Sequence, residues 1–439
     1  MSIAAAAAAA PINAHQLLVF LLQIGVLLGC AVLLGRIAGR WGLPALVGEL
    51  AAGVLLGPSV FGSVLPGVSA WLLPTDPGQA HLTGAVAQVG VLLLVAITGA
   101  HIDFDLILRR RRAVGLVSLG SITLPLALGL ALGFLLPDAL MAPGVGRPVF
   151  ALFVGVAIAV SALPVIAKTL LDMRLLHRDV GQMIIGAAAI SDVVGWLLLS
   201  VVSAAAVVRG SLDAGALALS VGVLLAVVAA TLVAMHLLRR RAARAGEAAR
   251  RGIGVTVIVV LVALAAAGTH ALGMEPILGA FLCGLLISSS GAAARRVLDS
   301  LRPFVVAVLA PLYFVTAGMR VDLAALGHPP VLIAAVTTIL AGTLAKLAGG
   351  YAGARLCRFD RTESLAIGAG LNARGVVEIV VATVGLQLGV LTDATYTIVV
   401  LLAVVTSMVA PATLRLTMRR TTSTPAERDR ERDFAGSSG

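Results

Sequence analysis

An all-α polytopic membrane protein is the fold class this sequence predicts. Three observations carry that expectation: an apolar composition, a regular series of apolar runs, and basic residues that alternate between the loops joining them. Of 439 residues, 59% are hydrophobic and only 12% charged, and the mean hydropathy is +1.06. A soluble domain carries about a quarter charged residues. The composition therefore excludes a soluble enzyme, and equally a single-span receptor with a large globular domain.

Apolar runs bounded by charges or by Pro/Gly breaks fall at 16–37, 44–62, 84–101, 113–135, 148–171, 180–206 and 214–237. A second set follows at 252–272, 275–290, 303–318, 330–354, 364–390 and 395–416, making thirteen spans. A helix needs about 20 apolar residues to cross a bilayer, so spans two and nine are short and read as tilted or partly re-entrant. Twenty-six of the 32 lysines and arginines fall in the loops after spans one, three, five, seven, nine and eleven and in the C-terminal tail. The opposite loops hold only Arg147, Arg209 and Arg320, and Lys168, Lys346 and Arg374 lie within spans. By the positive-inside rule the N-terminus is outside and the tail cytoplasmic. The +11 net charge is thus a property of loops facing membrane lipid, and no nucleic-acid partner is expected. The first residues, Met1 to Gln16, carry an alanine run and no positive charge, unlike a secretory signal peptide. Cys30, Cys283 and Cys357 lack the paired spacing of a metal site or disulfide framework. The stretch after Arg420 is short and polar and reads as disordered.

Two segments recur. Gly48-Glu49-Leu50 through Leu56 in span two matches Gly279-Ala280-Phe281 through Ile287 in span nine. Thr98-Gly99-Ala100-His101-Ile102-Asp103 matches Ala317-Gly318-Met319-Arg320-Val321-Asp322 at the ends of spans three and ten. Both matches have an offset of seven spans. An odd offset turns the second half upside down, so spans 1–6 and 8–13 form two inverted repeats of six joined by span seven. Inverted repeats are the architecture of secondary transporters, whose sites lie at discontinuous helices near the midplane.

The expected breaks are visible. Span five carries Ser161-Ala162-Leu163-Pro164, where the proline lacks the N–H a helix needs. Its counterpart, span twelve, carries Gly368-Ala369-Gly370-Leu371-Asn372-Ala373-Arg374-Gly375. Ser161, Leu163, Pro164, Asn372 and Arg374 are therefore the candidate lining of two broken helices, although an ordinary proline kink against a glycine packing seam would share the pattern. Unwound backbone is tolerated at this depth only where protein or a water-filled cavity covers it.

Charges inside the spans mark the candidate site. Asp192, in Ser191-Asp192-Val193-Val194-Gly195-Trp196, lies about 18 Å along span six and so near the bilayer centre. A carboxylate there costs at least ~2.5 kcal/mol on insertion scales. One buried carboxylate can carry a proton or a small hard cation, and competition for it is enough for exchange. Its empty, charged form crosses poorly, whereas loading with either ion removes most of that cost. Ser191 offers a hydroxyl, either as a cation ligand or for packing. Lys346, mid-span in eleven, can neutralise Asp192 or hold the half-helix ends, and Arg374 and Glu378 can pair on one helix face four residues apart. Lys168 reads as a snorkelling residue, Glu49 as a structural or entrance residue rather than a second carrier, and His101, Asp103 and Asp105 as a solvated helix end or a cytoplasmic funnel.

At these residues the chain resembles the monovalent cation/proton antiporter-2 superfamily, over about 16–416. It is most similar to the branch holding plant cation/proton exchangers and bacterial sodium/proton and potassium/proton antiporters. The likeness is carried by Gly48-Glu49-Leu50 through Gly57-Pro58-Ser59, and by Ser161-Ala162-Leu163-Pro164-Val165 with Asp172-Met173-Arg174-Leu175-Leu176. It continues through Ser191 to Trp196, Gly279-Ala280-Phe281, Pro311-Leu312-Tyr313-Phe314 through Gly318, and Asn372-Ala373-Arg374-Gly375-Val376-Val377-Glu378.

The resemblance implies a homodimer working as an elevator. A scaffold (spans 1–3 in 16–105 and 8–10 in 252–318) would hold a sliding core (spans 4–6 in 113–206 and 11–13 in 330–416). Segment 1–15, linker span 214–237 and the disordered tail 417–439 complete the division. Asp192 would carry Na+ or K+ and the proton, Lys346 matches the family's membrane lysine, and Arg374 stands where plant relatives have lysine. Ser191 replaces the first of two adjacent carboxylates found in electrogenic relatives, which favours electroneutral exchange. Leu163 replaces a common threonine and removes one possible ligand. The expected function is Na+ or K+/H+ antiport in pH and cation homeostasis at the cytoplasmic membrane, with no cofactor. A ligand-gated potassium efflux channel or carrier with a separate regulatory partner is the alternative. An intramembrane aspartyl protease would need a second aspartate that Asp192 lacks, and export of an organic substrate is a further rival.

Overall fold

The computed structural model describes residues 13–74, 76–102, 107, 110–207, 214–244, 254–418 and 427. All thirteen apolar segments are helical. The first half comprises α1 (Ala14–Arg40), α2 (Ala45–Leu56), α3 (Pro77–Ala100), α4 (Arg111–Leu135), α5 (Arg147–Ala159), α6 (Leu163–Asp172) and α7 (Asp179–Val207). Two short helices, Phe61–Val64 and Pro66–Leu72, follow α2. Span seven is α8 (Ala214–Arg244). The second half comprises α9 (Val255–Ala271), α10 (Pro276–Ser289), α11 (Ala292–Phe304), α12 (Ala310–Gly318), α13 (Pro329–Leu356), α14 (Arg361–Leu371), α15 (Val376–Gln387) and α16 (Asp393–Met418).

By length and apolar composition, ten of the described helices can cross a membrane, and the bent pair α14–α15 makes an eleventh. The remaining two of the thirteen are short: α9 has 17 residues and α10 has 14. At 1.5 Å per residue α10 reaches about 21 Å, less than a ~30 Å hydrocarbon core. Segment nine was the one expected to be short on the second repeat, and α2, its partner in the first, has only 12 residues.

Glycines make the repeat physical. A Cβ on Gly48 would lie 2.1 Å from the Leu34 carbonyl of α1, and one on Gly279 would lie 2.2 Å from the Ala265 carbonyl of α9. Gly53 meets the Val315 carbonyl of α12 in the same way that Gly284 meets the Ala96 carbonyl of α3. In return, Gly318 abuts the Leu50 carbonyl and Gly99 the Phe281 carbonyl, and Leu50 and Phe281 are themselves repeat equivalents. α2 and α10 are thus each clamped between two neighbouring helices by backbone contact that any side chain would block. Gly120 of α4 and Gly349 of α13 close the pattern by abutting each other's carbonyls.

Two sets of helices result. α1, α2, α3, α9, α10 and α12 pack mainly among themselves, as do α4, α5, α7, α13, α14, α15 and α16. Between the sets run few contacts, chiefly α2 with α16 and α7 with α10, while α8 touches both α7 and α10. Specific bonds also cross: Tyr396 Oη donates to the Ala317 carbonyl at 2.8 Å, and the Asp322 N–H donates to Thr397 Oγ1 at 2.9 Å. Exposed leucines on α1, α8 and α13, such as Leu21, Leu33, Leu232, Leu340 and Leu344, form a lipid-facing exterior.

Most of the tail expected to be disordered lies outside the described residues. Thr417 and Met418 differ from that expectation by forming the end of α16. Glu427 differs too: its buried carboxylate accepts from the Asp179 N–H at 2.8 Å and pairs with Arg178 Nε at 3.1 Å, at the start of α7.

Candidate functional site

Span five stops at Ala159 and resumes at Leu163, and span twelve stops at Leu371 and resumes at Val376 with a 42° bend. Pro164 is not a kink in mid-helix. It occupies the first turn of α6, where no intrahelical N–H is required, and the extended residues Val160 to Ala162 make the break before it. The two interruptions cross. The Ala162 N–H donates to the Ala373 carbonyl at 3.3 Å, and Ser161 Oγ donates to the Leu371 carbonyl at 2.9 Å.

Four half-helix ends meet there, each leaving polar backbone groups without an intrahelical partner. At the carboxyl end of α5, the Ala157 carbonyl accepts from Arg374 Nη1 at 3.0 Å, and the Ala159 carbonyl accepts from Lys346 Nζ. At the amino end of α6, the Leu163 N–H donates to Asp192 Oδ1 at 3.3 Å. At the amino end of α15, the Gly375 N–H donates to Glu378 Oε2 at 2.7 Å. Cations therefore sit at a helix C-terminus and carboxylates at helix N-termini, the signs that the helix dipoles favour.

Asp192, Lys346, Arg374 and Glu378 are all fully buried. Arg374 Nη1 lies 3.3 Å from Glu378 Oε1, and its Nη2 donates to the Gly342 carbonyl of α13 at 3.3 Å. The two do not share one helix face, as their spacing suggested. Arg374 stands in the break and Glu378 in the first turn after it, so the pair bridges a chain interruption. Lys346 holds the end of α5 and makes no ion pair with Asp192 within 4 Å among the described residues; the two interact only at longer range. Leu163 lines the crossing through its backbone N–H, while its side chain is buried in the core.

Among the buried oxygens left over are three on candidate site residues. Asp192 Oδ2, Ser191 Oγ and Asn372 Oδ1 are buried and have no hydrogen-bond partner among the described residues. Native interiors rarely leave such atoms unsatisfied without a bound species or a functional reason. A carboxylate and an amide oxygen only accept, and a hydroxyl can turn its lone pairs inward. Asp192 Oδ2 is chemically able to hold a proton or meet a hard cation, and the other two oxygens are of the type that ligates one.

Ser407 Oγ, which donates to the Arg374 carbonyl and so helps hold the break, was not anticipated. A lone serine in an apolar helix gives no sequence signal of such a role. His101 Nε2 lies 3.0 Å from Asp299 of α11, far along the chain, while Asp103 and Asp105 lie outside the described residues. Glu49 is half-buried on α2, with its side chain against Gly35 of α1, and Lys168 is exposed.

Repeated helix contacts, two helices broken where they cross, and a buried carboxylate with a free oxygen are the features of a multi-pass secondary transporter. The chain belongs to the sodium/hydrogen exchanger family, whose transmembrane profile matches residues 25–420, and so to the monovalent cation/proton antiporters rather than to any class of enzyme. It is 27% identical over 399 residues to the Na(+)/H(+) antiporter NhaS4 of a Synechocystis strain, covering 90% of this chain and 96% of that one. It is 29% identical to the K(+)/H(+) antiporter 1 of Saccharomyces cerevisiae, over 90% of this chain but 47% of that protein. The chain spans about half the length of the yeast and plant relatives it matches. Its fold is similar to that of the sodium proton antiporter MjNhaP1 from Methanocaldococcus jannaschii. The TM-score is 0.63 at 18% identity, covering 92% of this chain and 99% of the other.

Proposed function

We propose that the protein exchanges H+ for Na+ or K+ across the cytoplasmic membrane, with Asp192 alternately carrying proton and cation. The observation that supports this most is the unsatisfied Asp192 Oδ2, beside Ser191 Oγ and near the crossing where Asn372 Oδ1 is also free. With one carboxylate exchanging one charge for another, each cycle is electroneutral. The remaining buried charges neutralise half-helix ends or one another and need not change state.

In this reading the set containing α4 to α7 and α13 to α16 carries the site past the set containing α1 to α3 and α9 to α12. The sparse contacts between the sets suit such sliding. The carboxylate crosses loaded with either ion, because an unneutralised charge in a dry interior is costly. The N-terminus is outside, the tail is cytoplasmic, and two copies of the chain pair through the scaffold helices. Na+/H+ and K+/H+ antiporters both stand among its relatives, which supports the cation class without choosing within it.

The test is proton movement in everted vesicles lacking native antiporters, followed with an acridine dye while Na+, K+, Li+ and Rb+ are added in turn. Cation-dependent proton release by wild type and none by Asp192→Asn is the expected result. Full activity in Asp192→Asn would remove the carrier role from this residue. Flux that does not saturate and needs no pH gradient would favour a channel instead.

A further inference from the structure

The chain passes from one helix set to the other through residues 319–328, which link α12 to α13. The first half of this linker is built onto the set that holds α2. A Cβ on Gly57, directly after α2, would lie 2.8 Å from the Met319 carbonyl oxygen, so the two backbones touch. Ser59 Oγ donates to the Val321 carbonyl at 2.8 Å and accepts from the Leu323 N–H at 3.1 Å, which grips the linker on both sides of Asp322. The Asp322 carboxylate accepts from the Ala324 N–H at 2.9 Å and so caps the turn that leads into α13.

Two side chains of the other set reach into this anchored turn. Tyr396 and Thr397, near the start of α16, are both fully buried. Tyr396 Oη donates to the Ala317 carbonyl at 2.8 Å, and Thr397 Oγ1 accepts from the Asp322 N–H at 2.9 Å. The Ala317 carbonyl already accepts from the Arg320 N–H at 3.2 Å, so the end of α12 is closed without Tyr396. At the opposite face of the molecule Arg415 reaches the Gly42 carbonyl at 3.3 Å, a longer bond and an exposed one.

A hydrogen bond is lost once its heavy atoms part beyond about 3.5 Å. Displacing one set against the other by about 1 Å therefore breaks both α16 bonds, whereas the Ser59 bonds lie within one set and persist. The hydroxyls and the N–H left behind are buried, and buried polar groups without partners are costlier than exposed ones. We propose that Tyr396 and Thr397 form a latch between α16 and the α12–α13 linker, closed in this conformation and open in the displaced one, which sets how the protein divides between the two at rest. The latch rests on the sliding that the antiport reading invokes. An ion that binds only the displaced conformation is held more weakly, in proportion to the share of molecules the latch retains.

Spin labels test this in a chain with Cys30, Cys283 and Cys357 replaced by alanine. They are placed at Trp71→Cys, after α2, and Leu356→Cys, at the end of α13, both exposed positions on different sets. Ser59 holds the linker before α13 at the Trp71 end of the molecule, and the 28 residues of α13 carry Leu356 about 40 Å away, so sliding changes the distance between the labels. Double electron–electron resonance in lipid nanodiscs is recorded with and without Na+ or K+ at several pH values. The parent should show two distances whose shares respond to the ions. Tyr396→Phe should raise the share of the displaced distance about fivefold relative to the other, the factor that one net hydrogen bond carries. Adding Thr397→Val should raise it further. Ser59→Ala, which removes bonds within one set, should lower the melting temperature and leave the ratio alone. A ratio unchanged in the double variant, while the parent still responds to ions, overturns the latch and leaves the sliding intact. An equal change in Ser59→Ala traces the effect to a loosened linker and likewise overturns the latch. One fixed distance under every condition, with cation-driven proton flux intact, overturns the sliding and the latch with it. The expected shifts in a protein without such flux would retain the latch and overturn antiport instead.

Discussion

Asn372 and Ser191 are where the chemistry of the site can be divided. Of the three free oxygens on Asp192, Ser191 and Asn372, the carboxylate is Asp192's, so both ions depend on it, whereas Asn372 and Ser191 can serve only the cation. Asn372→Ala should raise the KM for the cation by about tenfold, the effect of losing one ligand contributing ~1.4 kcal/mol. Proton binding, read from the pH dependence of the rate at saturating cation, should hold. An equal loss in both would mean that Asn372 shapes the break and does not touch the ion. Glu378 belongs to a different class. Glu378→Ala leaves the Arg374 guanidinium buried beside an uncapped α15, and breaking a buried pair from one side typically costs about 3–5 kcal/mol. The variant should lose its folded peak in fluorescence-detected chromatography. Arg374→Met with Glu378→Leu should recover much of that peak without recovering transport, since the Ala157 and Gly342 carbonyls would still lack their donor.

At the scale of elements, the short helices α2 and α10 can work only if their neighbours approach to backbone contact. Gly53→Ala and Gly284→Ala each place a methyl within 2.1 Å of a carbonyl oxygen of the facing helix. Overpacking of this kind costs about 1–3 kcal/mol, and backbone cannot move aside as a flexible side chain can. Both should lower the melting temperature measured in detergent by several degrees. Gly25→Ala on α1, which meets nothing within 4 Å, should leave it unchanged. If Gly53→Ala melts like wild type, the clamp between α1, α2 and α12 is looser than its geometry indicates. The broken elements follow different rules. α5 and α6 end and start where Ala162 and Ala373 bond across the crossing, so neither half-helix is complete without the other span.

For the whole molecule, the decisive property is the contrast between dense packing within each helix set and thin contact between them. Arg415 of α16 reaches the Gly42 carbonyl at 3.3 Å, and Leu43 and Arg415 line one crevice there, so this is a place where the sets meet. Cysteines at Leu43 and Arg415, joined by a short bifunctional maleimide, should stop cation-driven proton flux while each single cysteine retains it. Restored flux on cleaving a reducible version of the linker would attribute the arrest to the bridge. Undiminished flux in the bridged protein would exclude sliding of one set past the other.

The all-helical, membrane-spanning class and the burial of the charges were legible in the chain because the bilayer imposes one-dimensional rules. Apolar length, basic loop bias and the cost of a charge at mid-span can each be read from local sequence. The repeat was legible as well, because Gly48/Gly279 and Gly99/Gly318 must be small wherever backbones touch, and that demand shows in the residue itself. What each charge holds was decided only by tertiary structure. Lys346 could answer Asp192 or a helix end, and it answers the Ala159 carbonyl. Leu163 reads as a lost ligand, yet its N–H is what Asp192 meets, since backbone groups carry no sequence signature. Ser407 was equally invisible, because its partner Arg374 lies on another helix segment tens of residues away along the chain. Local rules place a residue at a depth and on a helix. Only the crossing of two broken helices, fixed by the packing of everything around them, decides which polar atoms are satisfied and which remain free to bind an ion.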